Sequence, residues 1–423
     1  MAKKTGPAKA AKQPKASAFK MPGVSPEDAA KLAGIVAALE KQHGAGIIQI
    51  MDGPPTVRNY AYQVPTGSIG LDIAIGPMRK MVDGRWRTGG IPGTITEAFG
   101  PEGSGKTTLM LTRIANYQAQ GLRCAMLDME HALDPHYAKK LGVDMTQLWW
   151  SQPANGEQCI DVAIQLLQSR MFNFVGVDSV AALVPKSELE GNSGDSAMGV
   201  QARLMSQFMR MVVPILGNGV QTELFLTNQI RYKVGRAAMF GNPETQPGGQ
   251  ALKYAANFRL DIRKGKSIVA GGGETEDEGN AQVVGQRMKV KVIKNKVSPP
   301  FRVAEFSLIY GAGIDAVEEL FDLCKLNGVI EGDGWFTIGG KKYQGKQNAV
   351  AVLRSDQGLC YMLYDQLLIR NMAGLGLNPD GTALEGFTMT AMPTSHAQFE
   401  PPTEEDLEAM EGQDTTVTEE AAA

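Results

Sequence analysis

Nine consecutive residues, Gly100-Pro101-Glu102-Gly103-Ser104-Gly105-Lys106-Thr107-Thr108, have the types and spacing to hold a chain of phosphates. The glycines let the backbone curl so that successive N–H groups point inward around phosphate oxygens. Lys106 adds a point charge for the β- and γ-phosphates, Thr107 offers a hydroxyl to Mg²⁺, and the dipole of a helix starting here favours the anion. Residues 94–99 read as a β-run, and Leu109, Leu111 and Ile114 behind the loop repeat with helical spacing. That strand–loop–helix setting is what the G-x-x-x-x-G-K-T pattern requires. The implied ligand is a nucleoside triphosphate.

Wound α/β sheets bind ligands at the carboxyl ends of their strands, and the other candidates fall there. Asp178 closes the apolar run 172–177 and is placed to hold Mg²⁺ through water opposite Thr107; a plain cap is the alternative. Glu130 follows the run 123–128 and can deprotonate or orient the water that attacks a γ-phosphate; a surface ion pair is the alternative. Asp134 and Tyr137 lie one turn apart. They suit the adenine amino group and ring, or equally a helix cap and a packed side chain. Gln229 ends the run 222–227 and precedes a long basic segment, 231–249. A side-chain amide that touches the γ-phosphate there would order this segment when the triphosphate is present. Arg231, Lys233, Val234, Phe240, Gly248 and Gly249, with Gln250 just beyond, suit a nucleic-acid backbone and its bases.

The elements that must position these groups alternate strand and helix from about residue 64 to 310, the pattern of a wound sheet. Helices are expected at 135–141, 156–169 and 198–216, and β-runs at 258–262, 288–293 and 301–309. Ahead of this unit, Ser25-Pro26-Glu27-Asp28 reads as a capped helix start, with Leu32, Ile35, Val36 and Leu39 on one face and Gly44 as the stop. A short strand follows at 46–50. A lone helix and strand cannot bury themselves, so this module must dock on its own body or on a second copy. Beyond residue 311 lies a smaller α+β region with a helix at 315–326, a hairpin turning at Gly339-Gly340 and a helix near 358–372.

The chain has 423 residues, 43% hydrophobic and 21% charged, as expected of a soluble protein with two or three structural units. No run has the length of a membrane span, and the N-terminus lacks a signal peptide's apolar core. The four cysteines are scattered with no C-x-x-C pair, which argues against zinc and disulfides and fits a reducing cytoplasm. The net charge of −3 conceals opposite ends: residues 1–20 carry six lysines and no acid, while residues 399–423 carry nine acids and no base. The body between is neutral, so nucleic-acid contact must come from local basic clusters.

Several strings then stand in order: Glu130-His131-Ala132-Leu133-Asp134-Pro135, Val177-Asp178-Ser179-Val180-Ala181-Ala182-Leu183-Val184-Pro185-Lys186, Asn228-Gln229-Ile230-Arg231, Met239-Phe240-Gly241-Asn242-Pro243-Glu244-Thr245 and Lys294-Asn295-Lys296. Together they resemble the bacterial RecA recombinase family over roughly residues 46–345. The resemblance implies an α/β P-loop core of RecA type with a mostly parallel central sheet, flanked by a small helix–strand arm and a small α+β C-terminal domain. The expected boundaries are a basic arm at 1–20, an oligomerisation module at 21–60, the ATPase core at 61–312, the C-terminal domain at 313–395 and an acidic tail at 396–423.

By that resemblance Glu130 is the catalytic base and Gln229 the γ-phosphate sensor. Asp134 and Tyr137 face the adenine, and Tyr310 is counted with the nucleotide contacts. Lys294 and Lys296 reach the ATP of the adjacent subunit, which would make phosphate neutralisation depend on two protomers meeting. Residues 190–199, with Met198, and 231–249 are the two DNA-binding loops; Arg203, Ser206 and Arg210 on the helix between them match DNA contacts. Ile47 is expected in the neighbour's surface. The implied cofactors are ATP and Mg²⁺. The implied partners are single- and double-stranded DNA, further copies in a helical filament, and single-strand-binding and loader proteins. Departures from the pattern are an insertion near 77–88, Asn192 and Ala197 in the first loop, and a second loop longer at about Arg236-Ala237. The expected function is an ATP-dependent recombinase that polymerises on single-stranded DNA and exchanges strands. The alternative is a ring helicase or DNA-dependent motor on the same core, which would usually carry an arginine finger where this chain has Lys294-Asn295-Lys296.

Overall fold

The computed structural model describes residues 25–44, 48, 62–76, 79–80, 86–190, 199–232, 244–270, 273–275 and 282–374. The chain divides into two units, Met1–Asn59 and Tyr60–Ala423. In the first, helix α1 (Pro26–His43) starts as its sequence demands: Ser25 Oγ accepts the Asp28 N–H at 3.2 Å, and Gly44 ends the helix. Of the strand expected at 46–50 only residue 48 is described, and Ile47 lies outside the described residues.

In the second unit the described strands include a ten-stranded sheet. Its strands are β1 (Ile95–Gly100), β2 (Cys124–Asp128), β3 (Leu148–Ser151), β4 (Phe174–Asp178), β5 (Glu223–Gln229), β6 (Phe258–Val269), β7 (Glu274–Thr275), β8 (Val283–Asn295), β9 (Val303–Ile309) and β10 (Gly313–Ile314). The order is β10-β9-β8-β6-β1-β5-β4-β2-β3, with β7 on the far part of β6. The six strands from β6 to β3 run parallel, so their carboxyl ends share one edge. From β6 outward to β10 the pairing is antiparallel.

Strands β1, β2 and β4 are buried along their whole length, which explains the apolar runs of β2 and β4; β1 buries Thr96 and Glu97 among its apolar residues. Alternate residues still serve opposite faces. Phe174, Met126 and Phe225 pack with helix α3 (Lys106–Ala119), in a core that also takes in Leu71, Ala74 and Ile75 of α2 (Ile69–Ile75). Val175, Leu127 and Leu226 pack instead with α5 (Gly156–Ser169) and α7 (Val200–Gly217). Short α4 (Pro135–Lys140) and α6 (Lys186–Glu190) follow β2 and β4 in the chain, and α8 (Ala251–Ala255) precedes β6.

The C-terminal region builds its own core from Phe321, Cys324, Phe336, Leu353 and Leu367, on α9 (Ala316–Leu326), the hairpin Trp335–Ile338/Lys341–Gln344, α10 (Lys346–Ser355) and α11 (Gln357–Gly374). Glu319 of α9 ties it to the sheet unit by accepting from Ser68 Oγ (2.6 Å) and from the Ile69 and Gly70 N–H groups (both 2.9 Å) at the start of α2. Among the described residues no helix is long and apolar enough to cross a membrane.

Candidate functional site

Strand β1 delivers the glycine-rich loop to the shared edge, and parallel register sets its neighbours: Gly100 lies opposite Gln229, and Asp128 opposite Asp178. Gly103 and Gly105 have φ of 63° and 78°, left-handed values that L side chains rarely adopt. A Cβ at Gly100 would stand 2.2 Å from the Ile262 carbonyl oxygen, so the loop's close seat on β6 also requires glycine. Ser104 Oγ is buried with no hydrogen-bond partner among the described residues. A curled, glycine-lined cradle with an unpaired buried hydroxyl, at the start of a fourteen-residue helix, fits a phosphate chain.

Lys106 Nζ donates to the Gly100 and Pro101 carbonyls, at 3.2 and 2.7 Å. Partial burial lowers its pKa, against the opposing pull of the Asp178, Glu130 and Glu102 carboxylates. Thr107 Oγ1 donates to Asp178 Oδ2 at 2.7 Å, and Thr227 donates to Oδ1. Burial pushes the Asp178 carboxyl up; the two threonine hydrogen bonds oppose this, while Glu130 and Asp128 reinforce it. A divalent cation there would reverse that balance. The described residues hold no cluster of three His, Cys, Asp or Glu suited to a metal. One hydroxyl and one carboxylate nevertheless suit Mg²⁺, which keeps several of its own waters.

Glu130 is exposed beyond β2, its backbone N–H bonded to the Asp178 carbonyl at 3.1 Å. Its Oε1 accepts from Ser179 Oγ at 2.5 Å and from Gln229 Nε2 at 3.0 Å. Candidate base and candidate sensor therefore share one hydrogen bond, although 99 residues separate them. Asp134 caps α4 through the His136 N–H (2.8 Å), and Tyr137 Oη lies 2.7 Å from Thr108 Oγ1 on the phosphate-loop helix. The helix cap expected of Asp134 is therefore formed. Tyr310, at the end of β9, is exposed. Lys294 Nζ donates to the Lys253 and Tyr254 carbonyls (2.6 and 2.8 Å) and Lys296 Nζ to that of Ala255 (3.2 Å), so both lysines cap the end of α8.

On α7, Arg203 and Arg210 are exposed and Ser206 is half-buried, all on the face opposite Met205, Phe208, Met209 and Val212. Arg231 is exposed, while Gly248, Gly249 and Gln250 form the turn into α8. Met198, Lys233, Val234 and Phe240 lie outside the described residues. Sequence reading did not single out Ser179, Thr227 or Asp128. Asp128 accepts from the Ala132 and Leu133 N–H groups (both 3.3 Å) and from Gln152 (3.1 Å), folding the chain that carries Glu130. A carboxylate ending the apolar run 123–128 was the available signal. Lys264 was also missed; its Nζ would stand 2.9 Å from a Cβ at Gly103, a second cation beside the cradle.

Comparison with known proteins identifies relatives of this chain. The family described as RecA N-terminal domain matches residues 30–315. Protein RecA of Cutibacterium acnes is 44% identical over 340 residues, covering 80% of this chain and 90% of that protein. Protein RecA of Ruegeria pomeroyi is 44% identical over 349 residues (82% and 94%), and that of Chlorobium limicola 45% over 349 residues (82% and 93%).

Proposed function

This chain belongs to the RecA family, and we propose that it is a DNA recombinase that polymerises on single-stranded DNA, hydrolyses ATP at subunit seams and exchanges strands. One observation carries the reading: the Glu130 carboxylate is held by Gln229 and Ser179 on the edge where Thr107 and Asp178 meet. In this reading residues 100–108 wrap the phosphates, with Lys106 bearing on the β and γ groups. Asp134, Tyr137 and Tyr310 flank the base, and Thr107 with Asp178 holds Mg²⁺. When bound, the ion supplies charge neutralisation on the phosphate oxygens. Glu130 takes a proton from, or orients, the attacking water. Gln229 Nε2 then divides its hydrogen bonding between Glu130 and the γ-phosphate.

Lys294 and Lys296 give up the α8 carbonyls to reach the nucleotide of the adjacent copy. Single-stranded DNA lies along Arg203, Ser206, Arg210, Arg231 and the Gly248-Gly249-Gln250 turn, with Met198, Lys233, Val234 and Phe240 completing the path. Ile47 docks the N-terminal module on the neighbour.

ATP turnover with and without single-stranded DNA, together with strand exchange, tests this in wild type, Lys106→Ala, Glu130→Gln and Lys296→Ala. Both lysine variants should lose exchange and DNA-stimulated hydrolysis, and Glu130→Gln should lose about 10²–10⁴ in turnover. Normal hydrolysis in Lys296→Ala removes the shared site. Turnover by an isolated monomer, indifferent to any strand, removes the whole reading. Electron microscopy distinguishes helical filaments from the closed rings of a motor.

A further inference from the structure

We propose that Asn228 is the positioning residue through which nucleotide at Gln229 sets the geometry of the DNA-facing segments. The inference rests on the reading of Gln229 as the γ-phosphate contact.

Asn228 is wholly buried, one position before Gln229 in β5. Its Oδ1 accepts the Gln229 main-chain N–H at 2.9 Å. Its two Nδ2 protons go elsewhere: one to Glu97 Oε1 on β1 at 2.9 Å, the other to the Pro247 carbonyl at 3.1 Å. Glu97 is itself buried, and its Oε2 accepts from Arg259 Nε at 2.5 Å. The same guanidinium reaches Gln246 Oε1 at 3.3 Å. Residues 246 and 247, where the second segment returns to the fold, are therefore both held by one polar network whose other end is the sensor's backbone.

The turn held by Pro247 also touches the first segment's helix. A Cβ at Gly248 would meet Val180 Cγ1 at 3.0 Å and Met205 Cγ at 3.2 Å; one at Gly249 would meet Ala202 Cβ at 3.0 Å. Ala202 and Met205 lie on α7, which leads out of residues 190–199. Val180 follows Asp178 by two residues, and Gln201 of α7 donates to its carbonyl at 3.0 Å. A shift of the turn by a few tenths of an ångström is thus felt on α7.

A buried amide with all three hydrogen bonds made cannot turn without leaving polar groups unpaired in a dry interior. When Gln229 turns toward a phosphate, the strand end and Asn228 move as one, and Pro247 follows. An Asn whose only task was to satisfy Glu97 would show no such dependence on nucleotide, so stability alone cannot separate the two roles.

The experiment measures single-stranded DNA affinity at fixed salt, with ADP and with a slowly hydrolysed ATP analogue, in wild type, Asn228→Leu and Asn228→Ser. Wild type should bind at least about tenfold tighter with the ATP analogue, within the usual range of coupling between sites. In both variants the ratio should fall below about threefold, with affinity in ADP and DNA-free hydrolysis within about threefold of wild type. Folding is checked by thermal melting. Amide exchange on wild type supplies the reading that needs no variant: the ATP analogue, without DNA, should slow exchange at Gly248, Gly249 and Leu252. Full coupling in a folded Asn228→Leu, or no change in exchange on wild type, overturns the relay. If wild type shows no nucleotide-dependent gain on DNA at all, the functional reading fails first and the relay with it.

Discussion

Two buried glutamate–arginine pairs sit on neighbouring strands of one sheet and do different work. Glu223, at the start of β5, accepts from Arg113 of α3, from Tyr117 Oη (2.7 Å) and from Thr96 Oγ1 (2.9 Å). Every partner lies in the sheet or on α3, so the pair is closed and fixes α3, the phosphate-loop helix, to the strands. Glu97 and Arg259 lie nearer the carboxyl ends, and their network leads out to Asn228, Gln246 and Pro247. The chemistry is the same; what differs is whether the last partner is fixed or belongs to a segment that meets a ligand. A buried ion pair is thus a clamp or a relay according to where its hydrogen bonds end.

The strongest way to break the comparison is to remove Glu223. Glu223→Ala leaves the Arg113 cation buried without its counter-charge, and a loss of about 3–5 kcal/mol is expected in denaturant unfolding. Arg113 has no room to swing away, since a Cβ at Gly90 would already lie 1.8 Å from its guanidinium. Arg113→Met with Glu223→Leu should recover most of that loss. A single variant costing less than 1 kcal/mol, roughly the worth of an exposed pair, would show that the clamp is not one.

Glu319 shows what happens when a buried carboxylate has no arginine. Burial pushes its pKa up to about 7, Asp72 adds to the rise, and the hydrogen bonds from Ser68, Gly70 and Ile69 only partly oppose it. The folded state therefore holds this proton more tightly than the unfolded chain does. Its stabilising contribution is complete below about pH 4.5 and is lost as pH rises through 7, a span of about 3 kcal/mol. Urea unfolding between pH 4.5 and 8 should show that decline, and Glu319→Gln should flatten it. An unchanged slope in the variant assigns the pH dependence to another group, with Asp72, raised to about 6, the first to test.

Glu97→Gln should cost less, about 2 kcal/mol, the range for breaking one hydrogen bond to a charged group. Arg259 keeps Gln246 and lies 4.9 Å from the Phe99 ring centroid. Of these changes, only this one should also lower the nucleotide dependence of DNA binding. If Glu223→Ala, at a temperature where it stays folded, lowers that dependence equally, clamp and relay are one network.

How much of this was legible beforehand follows from the range over which each signal acts. Local chemistry was readable: the Ser25 cap, the glycine-rich loop, the Asp134 cap and the Gly339-Gly340 hairpin all depend on neighbours within a few residues. Strand ends were not. The runs read as 258–262 and 288–293 extend to Phe258–Val269 and Val283–Asn295, because paired edges carry polar residues outside the apolar core. β3 was missed since Trp149 and Trp150 are both exposed, leaving no alternation. α2 and α10 were missed as well. α2 is short; Ser68 caps it locally by accepting the Leu71 N–H at 3.1 Å, but its first turn also rests on a carboxylate 250 residues away, which no local pattern records. Glu130 and Gln229 could each be proposed from a strand end, but their shared hydrogen bond depends on the order of strands.

The smallest effect is expected at Lys289 and Glu305, which face each other across β8 and β9 with Nζ–Oε1 at 2.9 Å and both side chains more than half exposed. The contact is close, yet water already solvates both charges and salt screens what attraction remains. Glu305→Gln should change unfolding free energy by less than about 0.5 kcal/mol, and the change should vanish in molar salt. The same salt should leave the Glu223→Ala loss nearly intact, because a buried pair is screened far less. Should both losses shrink in parallel, the distinction between the two buried pairs would have to be drawn from something other than their seclusion from water.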